Sequence, residues 1–258
     1  MDLQLKGRKA IVTGGSAGIG LAIVKALLAE GAAVVVPGRD QAKLERALPD
    51  SRGEVQTVVA DLGTADGAAA LIEAAPEADI LINNLGIYEP KPFAEISDAD
   101  WLKIFEVNVL SGVRLSRHYF PRMLENNWGR VIFISSESAV MTPPEMVHYG
   151  VTKSAQLAVS RGLAELTRGT GVTVNAVMPG PTRSEGIVQF LQQMASPGAS
   201  AAEAEKEFFD KHRRSSLLQR LIEDSEVAHL VAYLASPLSA ATNGAALRVE
   251  GGLLRSIA

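Results

Sequence analysis

The sequence contains no cysteine, which removes disulfides, thiolate metal sites and a cysteine nucleophile together. A secreted, disulfide-stapled scaffold is therefore excluded, a reducing cytoplasm is the expected compartment, and no metal centre is expected. An excess of positive charge is also lacking. Twenty-five Lys and Arg stand against 29 Asp and Glu, a formal charge of −4, so no basic face is available to collect phosphate polyanions and nucleic acid is not an expected partner. No stretch approaches the roughly 20 apolar residues that span a bilayer, and the first nine residues, Met1 to Lys9, carry no apolar leader core. No membrane attachment is expected, and the partners that remain are small molecules.

What is present is apolar material, 47% of 258 residues, enough for one large core; about 250 residues is a usual size for an undivided α/β unit. Residues 1–258 are expected to form a single domain. Short β-branched runs at 10–13, 34–37, 55–60, 80–83, 131–135, 172–177 and 245–249 alternate with Ala/Leu-rich segments of helical period at 19–30, 43–48, 65–75, 99–124, 149–167 and 224–234. Most of the runs are continuously apolar rather than alternating, as strands covered on both faces require. The pattern predicts a doubly wound parallel sheet, a Rossmann fold with helices on both faces. One stretch, 181–216, breaks it: Pro, Gly, Ser and Ala interrupt short amphipathic pieces bearing Phe190, Leu191, Met194, Phe208 and Phe209. A long irregular insertion of this kind is expected to be a substrate lid.

The segment Thr13-Gly14-Gly15-Ser16-Ala17-Gly18-Ile19-Gly20 leads from the first strand into the first helix. Glycines there let the backbone approach a pyrophosphate, and a helix N-terminus offers free N–H groups and partial positive charge. The spacing is G-x-x-x-G-x-G rather than the G-x-G-x-x-G fingerprint. The same residues also spell Gly14-x-Ser16-x-Gly18, the nucleophile elbow of serine hydrolases. A hydrolase of that kind needs an oxyanion-hole loop before the elbow and an acid and histidine after it. Only thirteen residues precede Gly14, and of His118, His148, His212 and His229 only the last falls late enough.

Tyr149-Gly150-Val151-Thr152-Lys153 places a phenol and an ammonium four residues apart on one helical face. An adjacent cation favours the phenolate and turns tyrosine into a usable acid and base. The spacing is weak alone, but it follows a strand end bearing Ser135, Ser136 and Ser138, and ligands of open α/β sheets sit at that edge. With Asp61 after the third strand, Asn83-Asn84-Leu85-Gly86 after the fourth, Asn108 in the long helix, Pro179-Gly180 after the sixth strand and Glu250-Gly251-Gly252 near the end, the whole chain resembles the short-chain dehydrogenase/reductase family, single-domain branch.

The resemblance implies an NAD(P)-dependent oxidoreductase, a ketoreductase, that moves a hydride between nicotinamide and a carbonyl or secondary alcohol carbon. Tyr149 is implied as acid/base and Ser136 as the hydrogen-bond donor to the substrate oxygen. Lys153 is implied to lower the Tyr149 pKa and bind the nicotinamide ribose, and Asn108 to hold a water linking Lys153 to solvent. Spacing to Tyr149 selects Ser136 over Ser135 and Ser138. The implied cofactor contacts are Thr13, Gly14, Ser16, Gly18, Ile19 and Gly20; Arg39, Asp61 and Leu62; Asn84 and Gly86; Tyr149 and Lys153; and Pro179, Gly180 and Thr182. Leu85 and Glu250 depart from the family's Ala and Asp without removing a group that has a chemical task.

Cofactor choice is expected where the second strand ends. An acid there holds the ribose 2′-hydroxyl, whereas Arg accommodates a 2′-phosphate. By analogy with the family, Gly38 takes the acid's place and Arg39 follows, so NADP(H) is favoured over NAD(H). Against this, Ala17 stands where many NADP-preferring relatives carry a second basic residue, and Asp40 becomes the acid if the turn shifts by one. The substrate is expected to be a mostly apolar ketone or alcohol bounded by Ser138, Met141, Met146, His148 and the Phe and Met residues of 181–216, with no Arg/Lys cluster beside it. An acyl-thioester ketone remains open. A non-catalytic redox sensor of the same fold is the alternative from another class, although it would be free to lose Ser136, Tyr149 or Lys153. The resemblance also implies a homotetramer, with the helices at 99–124 and 149–167 packing across subunits.

Overall fold

In the computed structural model, which describes residues 1–48 and 54–257, the strands are β1 (Lys9–Val12), β2 (Ala33–Gly38), β3 (Val55–Val59), β4 (Ile80–Asn83), β5 (Gly129–Ile134), β6 (Val172–Pro179) and β7 (Ala246–Val249). They form one all-parallel sheet in the order β3-β2-β1-β4-β5-β6-β7. Every residue of β5 and β6 is buried, as parallel strands sandwiched by crossover helices must be. Each predicted strand is found within two residues of its expected bounds.

The helices are α1 (Gly18–Ala29), α2 (Gln41–Ala47), α3 (Ala65–Ala74), α4 (Asp98–Phe105), α5 (Ser111–Glu125), α6 (Val147–Glu165), α7 (Glu185–Met194), α8 (Ala201–His212) and α9 (Asp224–Ala235). One face of the sheet packs Ile23, Val24 and Leu27 of α1 with Leu44 of α2 and Val227 and Val231 of α9. The other packs Leu71 of α3, Leu115 and Tyr119 of α5, and Ala164 of α6. Each fully buried Leu, Ile or Val contributes about 2 kcal/mol. The winding direction reverses between β1 and β4, which opens a crevice beyond the carboxyl ends of those strands.

Two local departures shape that crevice. The helix expected over 99–124 is interrupted by a π-helical turn, Glu106–Leu110; such insertions gather at functional sites because they re-aim a side chain, and here the buried residue is Asn108. The stretch 181–216, expected to be irregular, contains the ordered helices α7 and α8. Leu191 of α7 packs with Ala204, Phe208 and Phe209 of α8 and with Leu221, so the two helices carry a small core of their own. A parallel bridge between Thr182 and Ile222 closes the excursion at its base, and Arg183 pairs there with Glu205 and Glu223. Among the described residues, no helix is long and apolar enough to cross a membrane, and no cluster of metal-ligating side chains occurs.

Candidate active site

Two cavities meet in the crevice and share Gly14, Ala17, Leu85 and Tyr88 as walls. The larger, about 1110 Å³, runs past Ser16, Arg39, Asp61 and Leu62. The smaller, about 410 Å³, is bordered by Gly18, Ile19 and Gly20, by Asn84 and Gly86, by Ser136 and Tyr149, and by Pro179, Gly180 and Thr182.

The glycine turn is shaped by backbone need. Gly14 and Gly18 have φ of 65° and 49°, the left-handed region that L side chains resist. Gly20 has no such φ, but a Cβ there would run into the Gly14 carbonyl oxygen. Helix α1 then begins without a side-chain cap and without an acid in its first turn, so its free N–H groups keep their attraction for an anion. Thr13 lines neither cavity. Its buried hydroxyl donates to the Ile82 carbonyl (3.2 Å) and accepts from the N–H groups of Asn84 (2.8 Å) and Leu85 (2.9 Å). The Asn84 amide in turn donates to the Thr13 carbonyl (2.9 Å). Thr13 thus ties the turn to the end of β4.

Two of the residues expected to do acid–base work, Ser136 after β5 and Tyr149 on α6, border the smaller cavity. Ser135 donates to the Lys153 carbonyl (2.9 Å), whereas the Ser136 hydroxyl is a hydrogen-bond neighbour of the Tyr149 phenol. Lys153 is buried; its Nζ donates to the Ile134 carbonyl (3.0 Å) and Gln156 Oε1 (3.2 Å) and lies 5.5 Å from the centre of the Tyr149 ring. Burial pulls its pKa down to about 8, against the Glu137 charge, which raises it. The Tyr149 phenol is pushed well above its ordinary value, by burial first and then by the Glu137 and Tyr88 charges, with the Ser136 hydroxyl drawing it the other way. In the free chain burial of the phenol sets the direction of the Tyr149 shift, since desolvation penalises the phenolate.

The Asn108 side chain joins the π-turn to the chain after β4, accepting from the Ile87 N–H (2.8 Å) and donating to the Ile87 carbonyl (2.9 Å) and Thr152 Oγ1 (3.0 Å). Its backbone carbonyl accepts from Gln156 Nε2 (2.6 Å). The link between Lys153 and Asn108 is thus the Gln156 amide, a residue that no sequence motif singled out.

Of the expected substrate neighbours, Ser138, Met146, Phe190 and Phe208 line the smaller cavity. Met141 lines neither cavity, and His148 is buried and opens on the larger one. Four charged residues that the sequence did not mark as substrate neighbours, Glu137, Glu145, Arg183 and Arg213, do line it. Arg213 lies 64 positions beyond Tyr149 in sequence, too far for spacing to connect them, whereas Glu137 directly follows Ser136 and was open to notice. In the larger cavity, Lys43 joins Arg39, and the Asp40 carboxylate is occupied in capping α2 through the Lys43 N–H (3.1 Å).

The hydrolase arrangement is absent. Among the described residues no histidine or carboxylate hydrogen-bonds Ser16, and His229 is exposed on α9.

The short chain dehydrogenase family model matches residues 8–195. The chain is 49% identical to the uncharacterized oxidoreductase YvaG of Bacillus subtilis (strain 168), over all of both proteins. It is 33% identical to dehydrogenase/reductase SDR family member 4 of Caenorhabditis elegans, covering 97% of this chain and 96% of that one. Among solved structures, L-sorbose reductase from Gluconobacter frateurii, complexed with NADPH and L-sorbose, superposes over all of both chains with a TM-score of 0.93 at 28% identity.

Proposed function

The chain belongs to the short-chain dehydrogenase/reductase family of oxidoreductases, and from that premise we propose that it transfers a hydride between a nicotinamide dinucleotide and a carbonyl or secondary alcohol carbon, with Tyr149 as acid and base. The observation that carries the reading is the meeting of Ser136 and Tyr149 on one cavity that continues into the glycine-turn cleft, with Lys153 buried beside the Tyr149 ring. The cleft suits the cofactor chemically. The space a Cβ at Gly20 would need is already filled by backbone, and the uncapped start of α1 offers N–H groups to a pyrophosphate.

The bound dinucleotide supplies the hydride in reduction and receives it in oxidation. As the carbonyl is reduced, its oxygen takes up negative charge; Ser136 donates a hydrogen bond to it and Tyr149 delivers the proton that completes the alcohol. Lys153, among the buried groups at the site, supplies the positive charge that favours the phenolate left behind. Asn108 and Gln156 hold that ammonium in place through the hydrogen bonds described above. In oxidation the same residues act in reverse. Tyr149→Phe is expected to lower turnover by about 10²–10⁴-fold while cofactor binding, read by fluorescence titration, persists. Retained turnover overturns the assignment; cofactor binding without turnover of any ketone or alcohol by the wild type favours the redox sensor.

NADP(H) is favoured. Arg39 and Lys43 stand together at the cleft end, and Asp40, the residue that would favour NAD(H), is committed to its helix cap. The relative complexed with NADPH agrees with this choice. Helices α7 and α8 act as the lid: Ile187, Phe190 and Phe208 line the cavity over Tyr149, and Tyr88, whose ring meets that of Tyr149 edge-on at 6.2 Å, reaches Gly186 of α7. Leu102 and Phe105 of α4 and Val151 of α6 are exposed apolar side chains, which supports the homotetramer; equilibrium sedimentation at four times the chain mass is the expected result.

A further inference from the structure

Around Tyr149 the smaller cavity carries polar groups that the hydride-transfer reading leaves unused. Glu137 is 5% exposed, and its Oε2 accepts the Ser136 hydroxyl at 2.5 Å. Ser136 Oγ meanwhile accepts from the Ser138 N–H at 3.1 Å. A serine hydroxyl has one proton. While that proton points at Glu137, Ser136 has none to offer the oxygen of a reacting carbonyl.

Arg213 lines the same cavity. Its Nη1 donates to the His212 carbonyl (3.0 Å), its Nη2 lies 3.6 Å from Glu145 Oε1, and its guanidinium sits over the Phe208 ring. Its Nε is buried with no acceptor. The charges decide which kind of ligand. Arg213 lies beside Glu145, and Arg183, the other cation on the cavity wall, is paired with Glu205 and Glu223. No unmatched positive charge on that wall remains for a carboxylate or phosphate, while the carboxyl oxygens of Glu137 and Glu145 remain as acceptors for neutral hydroxyl groups.

Resting on the assignment of Tyr149 and Ser136 as the hydride-transfer centre, we infer that the substrate is a neutral α-hydroxy ketone, or the vicinal diol it interconverts with. Its hydroxyl next to the reacting carbon donates to Glu137, and the Ser136 proton is thereby released to the reacting oxygen. Glu137 touches substrate and sets specificity: it makes productive use of Ser136 depend on the second hydroxyl. This replaces the mostly apolar substrate expected from the sequence. Burial, which raises the Glu137 carboxyl against the opposing pull of Ser136 and Arg213, gives the group added reason to gain a second donor, since a desolvated carboxylate is stabilised by each hydrogen bond it accepts.

The test compares hydroxyacetone with butanone, which differ by a hydroxyl in place of a methyl, in wild type, Glu137→Ala and Glu137→Gln, with NADPH and with NADH. The wild type is expected to favour hydroxyacetone in kcat/KM by on the order of 100-fold, since a site built to hydrogen-bond a hydroxyl rejects the analogue lacking it. Glu137→Ala is expected to shrink that ratio from both sides, with a higher KM for hydroxyacetone and faster reduction of butanone. Glu137→Gln keeps the volume and leaves Ser136 either an N–H or a neutral amide oxygen, a weaker acceptor than a carboxylate, so butanone turnover rises there too; it carries the test if thermal melting shows the Ala variant unfolded. Hydroxypyruvate, the anionic counterpart, is expected to be slower than hydroxyacetone, and a reversal overturns the charge argument. Equal rates for butanone and hydroxyacetone in the wild type, both abolished by Tyr149→Phe, overturn this inference and leave the hydride-transfer centre standing. A ratio unchanged in both Glu137 variants overturns it as well, and reduction of no ketone at all overturns both.

Discussion

At one end of the crevice the walls are backbone, and at the other they are side chains. The glycine turn, the start of α1 and the end of β4 present N–H groups and carbonyls held by Thr13 and Asn84. The cavity at Tyr149 is assembled from Ser136 and Glu137 after β5, Tyr149 on α6, Ile187 on α7 and Arg213 beyond α8. Backbone walls demand particular residues at fixed positions, because glycine alone takes the left-handed φ at Gly14 and Gly18 without a Cβ penalty and glycine alone fits the crowding at Gly20. Side-chain walls demand only that some residue of suitable chemistry arrive from somewhere. The first end is accordingly rigid in what it accepts, and the second is free to change its ligand.

The largest expected effect probes the backbone end. Gly20→Ala sets a methyl group against the Gly14 carbonyl oxygen and close to the Asn84 amide, neither of which moves without breaking the brace to Thr13. A clash of this kind costs about 1–3 kcal/mol, and the loss should appear as cofactor affinity reduced by up to about 100-fold in a fluorescence titration. If Gly20→Ala binds NADPH as the wild type does, the turn is not the backbone cradle described here.

Next in size is the buried charge at the side-chain end. Lys153 is 4% exposed, and its pKa falls from 10.5 to about 8 on folding. Below pH 8 it is protonated in both folded and unfolded chains and the full cost of burying the ammonium is present. As pH rises from 8 to 10.5 the folded form sheds the proton first and that cost disappears. The unliganded wild type should therefore gain about 3 kcal/mol of stability across this window relative to Lys153→Met, measured by urea denaturation at each pH. A flat difference would show that the ammonium is already compensated, which would make the two ends of the crevice equally relaxed.

The same contrast explains what was legible in the sequence. All seven strands and the glycine turn could be read, since continuous apolar runs and glycine positions are local signatures. The order of Asn84, Asn108, Ser136, Tyr149 and Lys153 along the chain was also legible, but their hydrogen-bond partners were not. Gln156 sits three residues after Lys153 as an unremarkable helix residue, and only the fold sets its amide between Lys153 and the Asn108 carbonyl. Helices α7 and α8 fell in a stretch read as irregular because Ser196-Pro197-Gly198 dominates its middle. A signal was available: Ser200 and Glu203 form a capping box at the start of α8, and Ser184 caps α7. Arg213 had no signal, since its place in the cavity depends on where α8 ends.

The smallest expected effects separate Arg39 from its neighbour Asp40, where the larger cavity ends. If Arg39 pairs with a 2′-phosphate, Arg39→Ala should cost about 1.5–3 kcal/mol of NADPH affinity, as loss of a charge-assisted hydrogen bond does, and leave NADH affinity unchanged. Asp40 is the competing claimant, because a carboxylate at that place would hold the ribose hydroxyls of NAD(H) and repel the phosphate. Its carboxylate instead accepts the Lys43 N–H at the start of α2. Asp40→Ala should therefore act on the helix, lowering stability by about 1 kcal/mol in thermal or urea unfolding, with NADH affinity held and NADPH affinity, if anything, improved by the loss of a nearby negative charge. A fall in NADH affinity without a change in stability would reverse the assignment, making Asp40 the ribose ligand and the chain an NAD(H) enzyme.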